Sequence, residues 1–158
     1  MTFGASIKTC FSKYVTFSGR AQRSEFWWFA LFVFVGQIVL SWVDIALFGT
    51  TEVGPGSVSG ETDIAVFAGL FGLATLLPYI SVAVRRLHDT DRTGWWWWLS
   101  LIPIVGWIIL IIWYATQGTR GPNRFGDDPL NPGAGDGGYG AYGGEGLTAS
   151  SVPSVPRD

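Results

Sequence analysis

Apolar positions along the chain gather into three long runs, divided by two short polar stretches and followed by a polar tail. The runs are Phe26 to Phe48, Ile64 to Val84 and Trp95 to Ala115, each 21 to 23 residues long. A helix crosses a hydrocarbon core of ~30 Å in about 20 residues. Backbone polar groups in lipid must be satisfied within the segment, so all three runs are predicted to be transmembrane helices. Only Asp44 brings charge into the first run, near its end, and the other two carry none. The first run is too long for a signal-peptide core of ~7–15 residues, so it reads as a permanent span.

Ahead of it, Phe3, Ile7, Cys10, Phe11 and Tyr14 fall within an arc of ~100° on a helix, with Lys8, Ser12 and Lys13 pointing elsewhere. That pattern predicts a short amphipathic helix on the membrane surface, with Cys10 as a small apolar residue on its buried side. Ser18 is placed to cap a helix starting near Arg20. Arg20 and Arg23 would share a face, and Arg23, four residues before Trp27, could lie over its ring. Residues 49–63 carry Glu52, Glu61 and Asp63 but no Lys or Arg, and their glycines and proline predict an irregular connector.

The resulting organisation is an N-terminal segment over 1–25, a three-span bundle over 26–116, a post-span segment over 117–130 and a tail over 131–158. The tail is rich in glycine, with too little apolar content to pack, and is expected to be disordered. The fold class is therefore an all-α membrane protein.

Polar and small residues inside the runs suggest how the helices meet. Ala30, Gln37, Ser41 and Asp44 form one stripe on the first helix, and polar groups at depth face protein rather than lipid. The second helix carries Ala65-xxx-Gly69 and Ala68-xxx-Gly72, spacings that let backbones approach. The third has Ser100, Pro103 and Gly106 along one side. A tight bundle with these stripes inward is expected. A transport path would use the same stripe, but would need more than one ionisable group at depth.

Composition agrees with a membrane protein: 48% of residues are hydrophobic and 14% charged, against ~25% charged in a soluble protein. A net charge of -2 gives no footprint for nucleic acid. One cysteine excludes an intrachain disulfide and multi-cysteine metal motifs. Basic residues set orientation: Lys8, Lys13, Arg20 and Arg23 precede the first run, and Arg85, Arg86 and Arg92 follow the second. The N-terminus and second loop are therefore expected in the cytoplasm. Three crossings would put the C-terminus outside. A re-entrant third run, broken at Pro103, would return it inside.

The densest cluster of ionisable groups is "RRLHDTDRTGWWWW", residues 85–98. Arg85 and Arg86 can extend from the span to phosphate headgroups, making anionic lipid the expected partner. Thr93 is placed to cap the next helix. Trp95, Trp96, Trp97 and Trp98, ~100° apart, would encircle that helix as an interfacial belt rather than line one side of a pocket. Asp89 and Asp91 have cations nearby in Arg85, Arg86 and Arg92, as a tight charged turn needs. His88, Asp89, Asp91 and Arg92, with Asn123 and Arg124 further on, form the candidate functional cluster. His88 is the one histidine, so no histidine pair exists for a metal, and no metal or cofactor is expected.

Three segments together, "FSGRAQRSEFWWF" at 17–29, "RRLHDTDRTGWW" at 85–96 and "GPNRFGDDP" at 121–129, resemble the bacterial inner-membrane family known as domain of unknown function 805. The resemblance implies a small multi-pass plasma-membrane protein, and brings no activity, substrate or catalytic residue. Its motif positions include Gly19, Arg20, Arg23, Glu25, Trp27, Arg85, Arg86, His88, Asp89, Gly94, Trp95, Asn123, Arg124, Gly126, Asp128 and Pro129. The favoured reading is a non-enzymatic interaction or lipid-associated membrane protein, with a homo-oligomer possible. An oligomeric transporter or channel subunit is the alternative, followed by an enzyme acting on lipid headgroups through Arg85, Arg86, His88 and Asp89. Walker, HExxH and GxSxG motifs are absent from the sequence.

Overall fold

A computed structural model describes residues 1–54, 57–61 and 65–131, with 50–54 and 57–61 given by their backbone course. The chain forms helices α1 (Phe3–Ser12) and α2 (Arg23–Phe48), strands β1 (Thr50–Gly54) and β2 (Ser57–Glu61), helix α3 (Val66–Asp89), a 3-10 helix (Gly94–Leu101) and helix α4 (Val105–Ala115). The expected disorder of the tail falls on residues 132–158, outside those described.

Helices α2 and α3 are long and apolar enough to cross a membrane. They pack antiparallel. Near the β ribbon, Asp44 accepts from the amides of Phe67 and Ala68 at 3.0 and 2.8 Å. At the other end Glu25 meets Arg85 at 2.7 Å. Between them Phe32 packs edge-on to Phe71. The polar stripe of α2 faces α3 as its periodicity predicts, with Asp44 buried and Gln37 3.4 Å from the Ala68 carbonyl. Ala68 is buried at this contact, whereas nothing covers Gly69.

The described part of the connector between the two helices is extended rather than irregular. β1 and β2 pair antiparallel, from Thr50 opposite Glu61 to Gly54 opposite Ser57. The β-branched residues Thr50, Thr51, Val53 and Val58 favour extended backbone despite the glycines.

The third apolar run also departs from expectation. It does not form one spanning helix but folds back as a hairpin of two half-length arms. The 3-10 arm rises about 16 Å over its length and α4 about 16 Å, each roughly half of the ~30 Å core. The arms run antiparallel: Trp96 packs edge-on to Trp113 at 5.4 Å, and the Trp107 indole donates to the Ser100 carbonyl at 2.8 Å. Pro103 and Ile104 form the tip. The Val105 amide donates to the Pro103 carbonyl at 2.7 Å across Ile104, whose φ and ψ are 64° and -70°. This is a γ-turn, a strained state for a β-branched residue. Gly106 follows because any Cβ there would collide with the Leu99 carbonyl.

Because the run turns back, the chain after α4 lies at the end of the bundle it started from. The Thr119 amide donates to the Asp89 carbonyl at 2.8 Å. Residues 116–131 and the N-terminal segment therefore share one end, as the re-entrant alternative at Pro103 expects and three full crossings do not.

α1 forms as its apolar arc predicts, and that arc is shared between protein and surface, with Cys10 buried, Ile7 and Tyr14 half-buried, and Phe3 and Phe11 exposed. Phe3 packs on Trp28, while Phe11 packs on Phe29 and Phe32. Two residues eight apart thus reach the same level of α2, so α1 lies across it. Ser18 caps nothing: α2 starts at Arg23 with Gln22 as N-cap and no side-chain cap bond. The segment after α1 is fixed to α3 instead. Ser81 Oγ donates to the Lys13 and Thr16 carbonyls at 3.1 and 2.6 Å. Pro78 has no N–H for the Ala74 carbonyl one turn earlier, and the Tyr14 hydroxyl takes that acceptor at 2.8 Å.

The core sits at this end, where Cys10, Ala21, Phe26, Phe29, Val82, Ala83, Leu87, Leu110 and Tyr114 are buried together. Elsewhere Leu, Ile, Val, Phe and Trp side chains of α2, α3 and the hairpin are exposed in a continuous apolar surface. That surface far exceeds the few hundred Å² a soluble monomer leaves open.

Candidate functional site: a buried ion-pair cap

The motif residues converge at the end of the bundle that holds the core. α3 ends in Arg85, Arg86, His88 and Asp89, and α2 begins with Glu25 in its first turn. The loop between α1 and α2 supplies Arg20, and the chain after α4 returns over all of them.

The three arginines do not reach for headgroups. Arg20, Arg85 and Arg86 are 6%, 1% and 0% exposed, beside Glu25 and Asp89 at 4% each. This corrects the interfacial reading of these residues. The physical reason is pairing: a guanidinium fork desolvates readily when carboxylates and carbonyls fill its donors. Asp89 accepts from Arg20 Nε at 2.9 Å through one oxygen and from Arg86 through the other. Arg20 also donates to the carbonyls of Gly121 at 2.6 Å and Thr119 at 2.5 Å. Arg86 donates to the Tyr114 carbonyl at 3.0 Å and to that of Thr116. These carbonyls belong to the end of α4, where four acceptors lack helical partners and the dipole favours a cation.

Among the described residues Arg85 pairs with Glu25 alone, through Nη1, leaving its Nε and Nη2 without a hydrogen-bond partner. The cluster thus holds three buried cations and two buried anions. Breaking such a pair by removing one partner costs about 3–5 kcal/mol, because the other charge stays buried. Gly118 passes so close that a Cβ there would strike the Asp89 carboxylate.

His88 is half-buried, with Nδ1 3.2 Å from the Gly19 carbonyl and its ring stacked 4.0 Å from Phe125 at an interplanar angle of 1°. A carbonyl only accepts, so Nδ1 carries the proton and Nε2 keeps its lone pair in the neutral ring. Asn123 Nδ2 donates to the His88 carbonyl at 2.9 Å, and its Oδ1 accepts from the Phe125 amide at 2.9 Å. Gly126, at φ 133°, closes this turn by pairing with Asn123.

The outer charges arrange differently from expectation. Asp91, at φ 57°, turns away from Arg92 and pairs with Arg124 at 3.0 Å, an exposed contact. Arg92 lies over Trp113 at 4.6 Å. Among the described residues the cation–π pairs are this one and Arg124 over Phe125, so the Arg23–Trp27 contact does not form. Asp128 accepts from the Leu130 amide at 2.9 Å and the Gly121 amide at 3.1 Å, and the Leu130 bond chiefly holds its carboxyl below the usual range.

Trp95, Trp96 and Trp98 are exposed and Trp97 is half-buried. They lie on a 3-10 turn, where residues three apart eclipse, so Trp95 and Trp98 share a side. Both line a groove with His88 and Phe125. Thr93 flanks this helix without a side-chain cap bond. Burial pushes the Cys10 thiol up to about 12, with Glu25 adding to it, so it is a poor nucleophile. Among the described residues no three His, Cys, Asp or Glu groups are placed to hold a metal.

Sequence reasoning had no role for Ser81, Tyr114 or Gly118, placed Tyr14 only on the apolar arc of α1, and gave Glu25 none beyond its motif position. Only Pro78 signalled one of them, by orphaning the carbonyl that Tyr14 takes.

The family model for a Protein of unknown function (DUF805) matches residues 14–127, which contain Arg20, Glu25, Arg85, Arg86 and Asp89. Inner membrane protein YhaH of Escherichia coli K12 is 43% identical over 116 residues, covering 73% of this chain and 88% of the relative. Inner membrane protein YhaI of the same strain is 38% identical over 116 residues, covering 73% and 87%. The uncharacterized protein YiiR is 33% identical over 97 residues, covering 60% and 53%. No solved structure matches the chain.

Proposed function

The chain belongs to the family Protein of unknown function (DUF805) and is an integral inner-membrane protein, and we propose that it works without catalysis, as a lipid-associated interaction protein. The observation that carries this reading is the commitment of Arg20, Glu25, Arg85, Arg86 and Asp89 to one another. Asp89 holds Arg20 and Arg86, Glu25 holds Arg85, and two of these five groups, Arg20 and Arg86, also fasten chain segments remote in sequence. A general base must be within reach of a substrate proton, and neither carboxylate is.

The exposed cations favour lipid. Lys8, Lys13, Arg23 and Arg120 are exposed at the same end as the cap, with Arg124 beside them. Each basic residue near an anionic leaflet contributes about 1 kcal/mol of attraction. With the hairpin re-entrant, the basic residues from Lys8 to Arg124 lie at one end, opposite Glu52 and Glu61, which supports a cytoplasmic cap end. The transport reading loses support because Asp44 is occupied by two α3 amides and Gln37 faces the Ala68 carbonyl.

Native mass spectrometry of protein released in mild detergent tests the proposal. Anionic phospholipid should be retained above its share of the parent membrane. Retention of no lipid, or of lipid in bulk proportion, would contradict it.

A further inference from the structure

A cavity of about 380 Å³ opens sideways between α2, α3 and the re-entrant hairpin. Its wall includes Trp27 and Ala30 of α2, Tyr79 of α3 and Tyr114 of α4. Tyr114 is 7% exposed, yet among the described residues neither its hydroxyl nor that of Tyr79 has a hydrogen-bond partner. Both tyrosines line the cavity. Phenol donors at membrane depth meet no water, and leaving them unmade is costly.

The cavity has a direction. Tyr114 lies at the cap end of α4, since its own carbonyl accepts from Arg86. Trp107, also in the wall, is seven residues deeper, about 10 Å along the helix. The wall between them is Leu110 and Ile111. At the shallow end Trp27 is exposed, and Arg23 lies one helical turn above it on the same face of α2. Arg23 is exposed and has no acidic partner among the described residues. From the surface inward the order is a free cation, the two tyrosines, then a mostly apolar channel that ends at Ser100 and Trp107.

We propose that this cavity is a phospholipid site: one acyl chain lies along α4, its ester carbonyl accepts from Tyr114 and Tyr79, and its phosphate meets Arg23. The order of chemistry in the wall is the order of chemistry in a phospholipid. An ester carbonyl supplies acceptors and no donor, matching a lining whose open groups are donors. The inference rests on the lipid-associated reading and gives it a location.

The test uses full-length protein in mild detergent, with lipid retention read by native mass spectrometry and thermal stability read beside it. The variants are Tyr114→Phe, Tyr79→Phe, Arg23→Gln and Ala30→Trp. The phenols have no protein partner, so their loss should leave the thermal midpoint unchanged. Each Tyr→Phe change should weaken retention of added phosphatidylglycerol roughly five-fold, as loss of one hydrogen bond predicts. Arg23→Gln should remove the preference for phosphatidylglycerol over an uncharged diacylglycerol. Ala30→Trp fills the cavity and should reduce retention to background. Unchanged retention in all four variants would overturn the site while leaving lipid association intact. Wild-type protein retaining no lipid would overturn both. Retention of a phosphate-free isoprenoid or quinone in place of phospholipid would overturn the assigned occupant.

Discussion

The two ends of the helix pair each bury carboxylate, and they neutralise it by different means. At the ribbon end Asp44 meets the first amides of α3, so backbone and helix dipole satisfy it without a cation. At the cap end Glu25 and Asp89 meet three guanidiniums, which in turn hold carbonyls of the returning chain. The first arrangement needs two helices only. The second needs five segments to arrive together: the loop after α1, the start of α2, the end of α3, the end of α4 and residues 118–126. The ribbon end is thus a local clamp, and the cap end is the point at which the fold is completed.

Removing the hub of the cap should have the largest effect. Asp89→Ala leaves Arg20 and Arg86 buried without a counter-charge and should cost about 3–5 kcal/mol. The expected result is loss of folded protein from the membrane, measured by abundance and by thermal midpoint in detergent. Normal abundance and midpoint would show that the cap does not complete the fold. Glu25→Ala should approach that cost because Arg85 loses its one partner. Replacing the pair together, Glu25→Leu with Arg85→Met, should be milder than Glu25→Ala, and a double-mutant cycle would measure the coupling. Additive losses would mean that the two side chains do not act as a pair.

The ribbon end should respond less. Asp44→Ala should cost about 1–2 kcal/mol, the range for losing a helix cap with its dipole contact. A loss as large as that of Asp89→Ala would erase the distinction between the ends. Smaller still is Tyr14→Phe, at about 1 kcal/mol, the worth of one hydrogen bond. Here Pro78→Ala supplies a test of mechanism. By restoring an amide to the Ala74 carbonyl it should make Tyr14→Phe nearly neutral. Cys10 should show no change at all: its thiol, pushed up to about 12, should resist a maleimide at pH 8 until the protein unfolds.

Hydropathy made the two spans legible, since their length and lack of charge leave few alternatives. The third run has the same length, and Pro103 raised re-entry only as an alternative to a full span. Its tip residues Leu101, Ile102, Ile104 and Val105 are all apolar, so hydropathy is blind to the turn. Pro103 and Gly106 were the only punctuation. The cap's residues could be found from the motifs, but their roles could not. An arginine at a span end reads as a headgroup anchor unless its carboxylate is known. Those carboxylates lie 60 residues away for Arg85 and 69 for Arg20. Asp91 was misassigned for a local reason, because its left-handed backbone turns it from Arg92 toward Arg124.

The central claim is that the third apolar run re-enters and returns the chain to the cap. Single cysteines report it in a Cys10→Ala background: Ser57→Cys in the ribbon, Thr90→Cys after α3 and Asp127→Cys beyond the hairpin. An impermeant thiol reagent added to intact cells should label position 57 alone. Positions 90 and 127 should become reactive together once the membrane is opened. Labelling of position 127 with position 57 in intact cells would mean that the run spans, and would contradict the account.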